Sequence, residues 1–271
     1  MATRTRDAVW ERRQASFNEA PEVYAQHRPG YPEAALAEIV HFAGVRPGDA
    51  VLEIGCGPGQ VTLPMARRGL RVHAVEFGDQ MAQLVQARAA QEGLEVRVDV
   101  GRFEDWIPPT PGFPLVYAAA SFHWLDPLNR MHLAAQALAP GGALALLWNR
   151  HVRIPADRGF FDAIQPDYVQ AGMVTRSEPL PTMDQLPVPY AEEIAGSGHY
   201  SPVTVHRYPG EWHLTPEAFA ALLDTYSDHR ILDSEVKARL FGAITERAHR
   251  DFEGRIVRGT CTVLYLARRL N

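Results

Sequence analysis

Ala50-Val51-Leu52-Glu53-Ile54-Gly55-Cys56-Gly57-Pro58-Gly59 is the stretch on which the reading of this chain turns. Its first five residues are apolar apart from Glu53, a run of the length and β-branched content expected of a strand buried on both faces. The turn formers Pro47-Gly48-Asp49 release it. Glycines then stand at alternate positions. A glycine accepts positive φ and carries no Cβ to hold a ligand off, so backbone N–H groups in such a loop can approach a bound molecule closely. The order is strand, glycine loop, helix. A dinucleotide fingerprint would place its third glycine one position later, where close packing and pyrophosphate approach need a small residue. The chain has Gln60 there, which counts against NAD and FAD.

Outward from this stretch, alternation of strand and helix continues on both sides. Pro32 begins a helical pattern with Leu36, Ile39, Val40 and Ala43 on one face and Gly44 after its end. Downstream, Arg71 to Val75, Val96 to Val100, Leu115 to Ala120 and Ala143 to Trp148 read as further strands. Between them, a helix capped by Asp79 turns Met81, Leu84 and Val85 inward, and another runs through Met131, Leu133 and Leu138 to a Pro140-Gly141-Gly142 turn. Such spacing predicts a parallel, doubly wound α/β sheet. Residues 151–199 break the rhythm with prolines and scattered aromatics and read as an insertion on the substrate side. Val203 to Tyr208, a helix Pro216 to Asp224 capped by Thr215, a polar helix Ser234 to Arg250 and a strand Arg258 to Ala267 follow. The expectation is one domain over 1–271: an N-terminal segment 1–31, a ligand-binding core 32–150, the insertion, and a C-terminal part of the core over 200–271.

The whole-chain quantities narrow the function. A chain of 271 residues, 46% apolar and 22% charged, is an ordinary globular composition. The net charge of −5 is spread without a basic stripe, which argues against nucleic acid as a partner. Cys56 and Cys261 stand far apart and form neither a disulfide framework nor a zinc spacing, which suits a reducing cytoplasm. The polar start of the chain lacks the apolar stretch of a signal peptide, and no apolar run approaches membrane-spanning length, so no membrane association is expected.

Glu76 ends the second strand, where a carboxylate can accept hydrogen bonds from both hydroxyls of a ribose. Loop and acid together point to an adenosine-containing ligand. At these residues the chain resembles the class I S-adenosylmethionine-dependent methyltransferases, whose first motif, acid-x-Gly-x-Gly-x-Gly, stands here as Glu53 to Gly59. Within that family it is most similar to the branch that includes trans-aconitate methyltransferases. Arg28-Pro29-Gly30-Tyr31-Pro32 before the first strand and Ser121-Phe122-His123-Trp124 after the fourth carry that likeness.

The resemblance implies a Rossmann-like, seven-stranded fold with an N-terminal lid, S-adenosylmethionine as cofactor and a small-molecule methyl acceptor. It gives Gly55, Gly57 and Gly59 to the methionine and ribose part of the cofactor, Glu76 to the ribose hydroxyls, and Arg102-Phe103-Glu104 to the adenine. Glu53, Phe77, Met81 and Ser121 join the cofactor side, and Tyr24 and Arg28 would reach it from the lid, Arg28 pairing with the methionine carboxylate. Where many relatives carry an aspartate this chain has Arg102, so the adenine amino contact passes to Glu104 or to backbone groups. Phe113-Pro114 also departs from the family's pattern, with consequences for the start of the fourth strand.

Ligands of open α/β sheets sit outside the carboxyl ends of the strands, so Ser121 to Asp126 and Trp148-Asn149-Arg150 should face the reaction space. His123, Trp124, Asn149 and Arg150 are therefore the candidate substrate contacts. His123 is the candidate catalytic residue, as a base or orienting group for a hydroxyl acceptor. Arg150, Arg153 and Arg158 could hold carboxylates of an anionic acceptor. His151, His199, His206 and His213 show no close spacing with a carboxylate, so no metal is expected. A binder of the same cofactor without turnover, and a nucleotide-linked oxidoreductase on a similar sheet, are the alternatives. The acceptor atom and oligomeric state are not readable from sequence.

Overall fold

The computed structural model describes residues 12–13, 15–19, 21–107, 112–175 and 178–270. Seven strands form one sheet: β1 Ala50–Ile54, β2 Arg71–Glu76, β3 Val96–Val100, β4 Phe113–Ala119, β5 Leu138–His151, β6 Thr204–Leu214 and β7 Ile256–Arg268. Their order is β3-β2-β1-β4-β5-β7-β6. The pairs β1 with β2, β1 with β4, β2 with β3 and β4 with β5 are parallel. The last strand reverses this. Gly141 bonds with Arg269 and Val152 with Gly259, so β7 runs antiparallel to β5, and the antiparallel bridge of Tyr200 to Arg269 continues the reversal toward β6. The sheet is thus mixed, where the strand spacing alone predicts a parallel one.

The helices include α1 Pro21–His27, α2 Glu33–Ala43, α3 Thr62–Arg67, α4 Asp79–Gln91, α5 Arg130–Ala137, α6 Pro189–Gly196, α7 Pro216–Leu223 and α8 Ser234–Asp251. Local chemistry sets several of their ends. Gly44 closes α2 at φ 71°, its N–H reaching Val40 and His41 carbonyls. Thr215 caps α7 through Ala218 N–H, and Asp233 caps α8 through the N–H groups of Glu235 and Val236. Two sequence readings change here. Gly78, not Asp79, is the N-cap of α4; Asp79 sits inside the first turn, where its charge still favours the helix dipole. Leu138 leaves the helix and opens β5, and Pro140-Gly141-Gly142 is an excursion within that strand. Phe113 pairs with Leu138 but Leu115 with Ala143, a register shift at the Phe113-Pro114 step.

The chain divides into two compact units. The first is made of Met1–Arg28, Arg150–Leu186 and Pro209–Cys261, and the second of Pro29–Asn149, Pro187–Tyr208 and Thr262–Asn271. The core of the second holds Leu36, Ile39, Val51, Met65, Tyr117, Leu147 and Leu264, which lie on helices and strands flanking the sheet. The first has its own core, with Phe160, Phe219, Leu240, Ile244 and Phe252 in contact; Phe160 meets Phe219 and Phe252 edge-on at 5.3 and 5.1 Å.

Candidate active site

The strand order reverses at β1, which lies between β2 and β4. In an open sheet that reversal opens a crevice beyond the carboxyl ends of the two central strands. The glycine loop leaves β1 and the Ala120-Ser121 step leaves β4, so both line this crevice. They also touch. A Cβ on Gly55, whose φ is 70°, would stand 2.5 Å from Ser121 Cβ, and the Ser121 hydroxyl donates to Ile54 O. Gly59, at φ 100°, is required for a different reason: a Cβ there would meet Val85 Cγ2 on α4 at 2.7 Å. Gly57, at φ 51°, faces open space, with only Gln60 Oε1 at 4.0 Å from the position of a Cβ. The first and third glycines serve close packing, and the second leaves room beside the loop backbone. Ala120 holds φ 52°, a left-handed backbone costing an alanine about 1–3 kcal/mol, which places the strain at the mouth of the crevice.

Two carboxylates underlie the loop. Glu53 is 1% exposed, and its Oε2 accepts from Thr62 Oγ1 at 2.6 Å and from Tyr117 OH at 3.0 Å. Burial pushes its carboxyl up to about 7; the two hydroxyl donors pull it down, and the nearby Glu76 charge adds to the rise. This acid braces β1 against α3 and β4 from beneath. Glu76, at the end of β2, faces the crevice. Its Oε2 accepts from Gly57 N–H at 2.8 Å and its Oε1 from Gly78 N–H at 2.9 Å. Burial lifts its carboxyl above the ordinary range against the pull of these backbone donors. Backbone N–H groups hold both oxygens, so the orientation of the carboxylate is set before any ligand arrives.

Beside Glu76, the Phe77 ring is 43% exposed, with the Arg102 guanidinium 5.9 Å from its centroid. Glu104 Oε1 accepts from Asp126 N–H at 3.2 Å and lies 3.9 Å from Arg102 Nη2. Phe103 is buried and stacks with Trp106 at 6.1 Å, and Met81 is buried on α4. Gln60, the residue that departs from the dinucleotide fingerprint, has a buried Nε2 with no hydrogen-bond partner. A buried donor left so is costly unless a ligand takes it. The residues therefore fit an adenosine-type cofactor: a pre-set carboxylate, an open backbone at Gly57, an exposed aromatic face and an unanswered amide.

His123 and Trp124 lie on a single 3₁₀ turn, Phe122–Trp124, after β4. Trp148, near the end of β5, donates its indole N–H to His123 Nδ1 at 3.3 Å and stacks on Tyr190 of α6 at 4.1 Å and 5°. Tyr265 of β7 meets Trp148 edge-on at 5.9 Å. Asn149 has both ends of its amide engaged, Nδ2 donating to Gly30 O at 3.0 Å and Oδ1 accepting from Thr262 Oγ1 at 2.5 Å. Tyr24, Arg28 and Arg150 belong to the first unit. There the Arg28 guanidinium rests over the rings of Tyr226 at 4.0 Å and Tyr24 at 5.1 Å, with Nη2 donating to Thr225 O. The sequence reading did not single out Tyr117, Thr62 or Tyr190, since nothing in their local pattern names a partner so far along the chain.

Among the described residues no group of three or more His, Cys, Asp or Glu is placed to hold a metal ion, and no helix is long and apolar enough to cross a membrane. Residues 51–142, which carry the loop, Glu76 and the His123 turn, match the family model of a methyltransferase domain. An uncharacterized methyltransferase of Mycobacterium tuberculosis is 29% identical over 215 residues, covering 78% of this chain and 76% of its own length. A trans-aconitate 2-methyltransferase of the same species is 28% identical over 192 residues, 66% of each chain. The solved structure of a putative type II methyltransferase from Anaeromyxobacter dehalogenans superposes with a TM-score of 0.60 at 24% identity, over 90% of this chain and 98% of that one. Glycine loop, acid-ended second strand, reversed strand order and these likenesses converge: residues 51–142 carry a methyltransferase domain, and the residues of its site fit S-adenosylmethionine as cofactor.

Proposed function

We propose that the chain methylates a small-molecule acceptor, most simply an organic acid, with the cofactor held in the crevice at the carboxyl ends of β1, β2 and β4. The observation that carries this reading is the Glu76 carboxylate fixed by the N–H groups of Gly57 and Gly78 beside an open loop backbone. In it Glu76 receives the ribose hydroxyls, Phe77 offers a flat face to the adenine, and Gln60 gives its unpartnered amide to a cofactor oxygen. Glu104 or backbone groups of its turn meet the adenine edge, and the glycine loop follows the methionine and ribose part.

Bound S-adenosylmethionine supplies a methyl group already activated on a sulfonium, so the protein's task is alignment, and proximity accounts for most of the rate. His123 and Trp124 border the place of the acceptor, and Asn149, which donates one amide hydrogen to Gly30 O and accepts from Thr262 Oγ1, keeps a second amide hydrogen for it. Arg150, directly after Asn149, supports an anionic acceptor, and so does the relative named for trans-aconitate. Cys56 and Cys261 are buried and form no disulfide, which suits a reducing cytoplasm. The test is to incubate the protein with S-adenosylmethionine and a panel of di- and tricarboxylic acids, neutral phenols and amines, and to measure S-adenosylhomocysteine. Turnover with acids is expected. Turnover with phenols or amines alone would refute the acceptor class, and none with any acceptor, despite cofactor binding, would refute catalysis.

A further inference from the structure

We infer that Trp148 is a positioning residue that fixes the tautomer of His123, leaving the neutral imidazole with its proton on Nε2. The inference follows from what an indole can do. Trp Nε1–H donates and never accepts, so the ring nitrogen it faces at 3.3 Å must present a lone pair. That nitrogen is Nδ1, and a neutral imidazole with an accepting Nδ1 carries its hydrogen on Nε2.

Both partners are held from separate elements. The indole is pinned by the parallel stack on Tyr190 at 4.1 Å and the edge of Tyr265 at 5.9 Å. Tyr190 itself lies under the Arg130 guanidinium at 5.3 Å, and Arg130 is fixed by a two-pronged ion pair with Glu193, both contacts 2.6 Å. A fork of this kind, largely buried, has little freedom to rotate. On the other side, the turn carrying His123 is closed by Trp124 N–H to Ser121 O at 2.9 Å, and Ser121 is bonded to Ile54 at the end of β1. The indole cannot swing off Nδ1 without breaking the stack, and the backbone that carries the imidazole is tied through Ser121 to the end of β1.

The consequence rests on the proposed methyl transfer to an acid: with Nδ1 accepting from the indole and the hydrogen on Nε2, neutral His123 has no ring nitrogen poised to take a proton from the acceptor. His123 therefore borders an acceptor oxygen that is already ionised instead of deprotonating it. The sequence alone predicts a base or orienting group for a hydroxyl acceptor.

The experiment is long-range ¹H–¹⁵N NMR on the full chain with ¹⁵N-labelled histidine, without cofactor, at a pH well above the ordinary histidine range. A His123→Gln variant assigns the signals. The expected wild-type spectrum has His123 Nδ1 in the unprotonated range and Nε2 in the protonated range, and Trp148→Phe shifts the ring from one tautomer to a mixture. A protonated Nδ1 in the wild type overturns the proposal, and so does a Trp148→Phe spectrum with the tautomer unchanged. If Trp148→Phe does not fold, Tyr190→Leu, which removes the stack that pins the indole while leaving indole and imidazole in the sequence, takes its place with the same two outcomes. Calorimetry with S-adenosylhomocysteine on the same wild-type sample separates the two readings: absent binding would sink the methyl transfer and leave the tautomer measurement standing.

Discussion

Glu53→Gln should make the protein more stable at neutral and alkaline pH. The buried Glu53 carboxyl is pushed from 4.5 up to about 7 in the folded chain. In the unfolded chain it loses its proton near the lower value. Between those values the folded state holds a proton that the unfolded state has released, so stability contributed here is full below about pH 4.5 and falls as pH rises to about 7. At about 1.4 kcal/mol per unit, the loss reaches roughly 3 kcal/mol, as an upper figure. Glutamine keeps an amide oxygen able to accept from Thr62 Oγ1 and Tyr117 OH, the two bonds that Oε2 now takes, and removes the ionisation. Urea unfolding of both proteins at several pH values across that window is the assay. The difference should be near zero at the acid end and grow to about 2–3 kcal/mol in favour of glutamine by about pH 8. Glu76, whose carboxyl is also raised, is present in both proteins, and its repulsion of an ionised Glu53 is part of the difference that glutamine removes. Parallel stability profiles, or a glutamine variant that is weaker at alkaline pH, would refute the assignment of a buried, proton-holding Glu53.

Two further outcomes are expected. Glu76→Ala should weaken S-adenosylhomocysteine binding by about 1–3 kcal/mol, because the ribose hydroxyls and the N–H of Gly57 lose their acceptor together; unchanged affinity in calorimetry would remove Glu76 from the cofactor site. Gly59→Ala should destabilise the fold by about 1–3 kcal/mol through the 2.7 Å approach to Val85 and a φ of 100°, and thermal unfolding at the wild-type midpoint would show that the α4 packing gives way more easily than described.

The central sheet was legible because parallel strands covered on both faces are written as unbroken apolar runs, as in Val51-Leu52 and Leu144 to Leu147. The glycine loop and Glu76 were legible because their chemistry is local to a strand end. Orientation was not. Nothing in Arg258 to Ala267 distinguishes a strand entering antiparallel between β5 and β6, since periodicity records which faces are buried and carries no direction. The short helical turns Phe160–Ala163 and Gln165–Gln170 were hidden by length, too brief to repeat a pattern. The partners within the site were hidden by separation. Trp148 and His123 stand 25 residues apart, and Tyr117 and Glu53 stand 64 apart; each pairing exists only once the strands are side by side. Phe113-Pro114 was flagged as a departure in sequence, and the structure puts the β4–β5 register shift at that step.

The place of β7 governs how this chain is made as well as how it is built. β5 has β7, not β6, as its outer neighbour. A ribosome adds about 5–20 residues per second, so the hundred or so residues between the end of β5 and the start of β7 take roughly 5–20 s to emerge. Throughout that interval the apolar strand Ala143 to Trp148 shows an unpaired backbone edge, the kind of surface that recruits other nascent chains. Synthesis halted before Ile256 would leave that edge open for good, and such fragments should be found in the aggregated fraction of a cell lysate while the full chain stays in the supernatant.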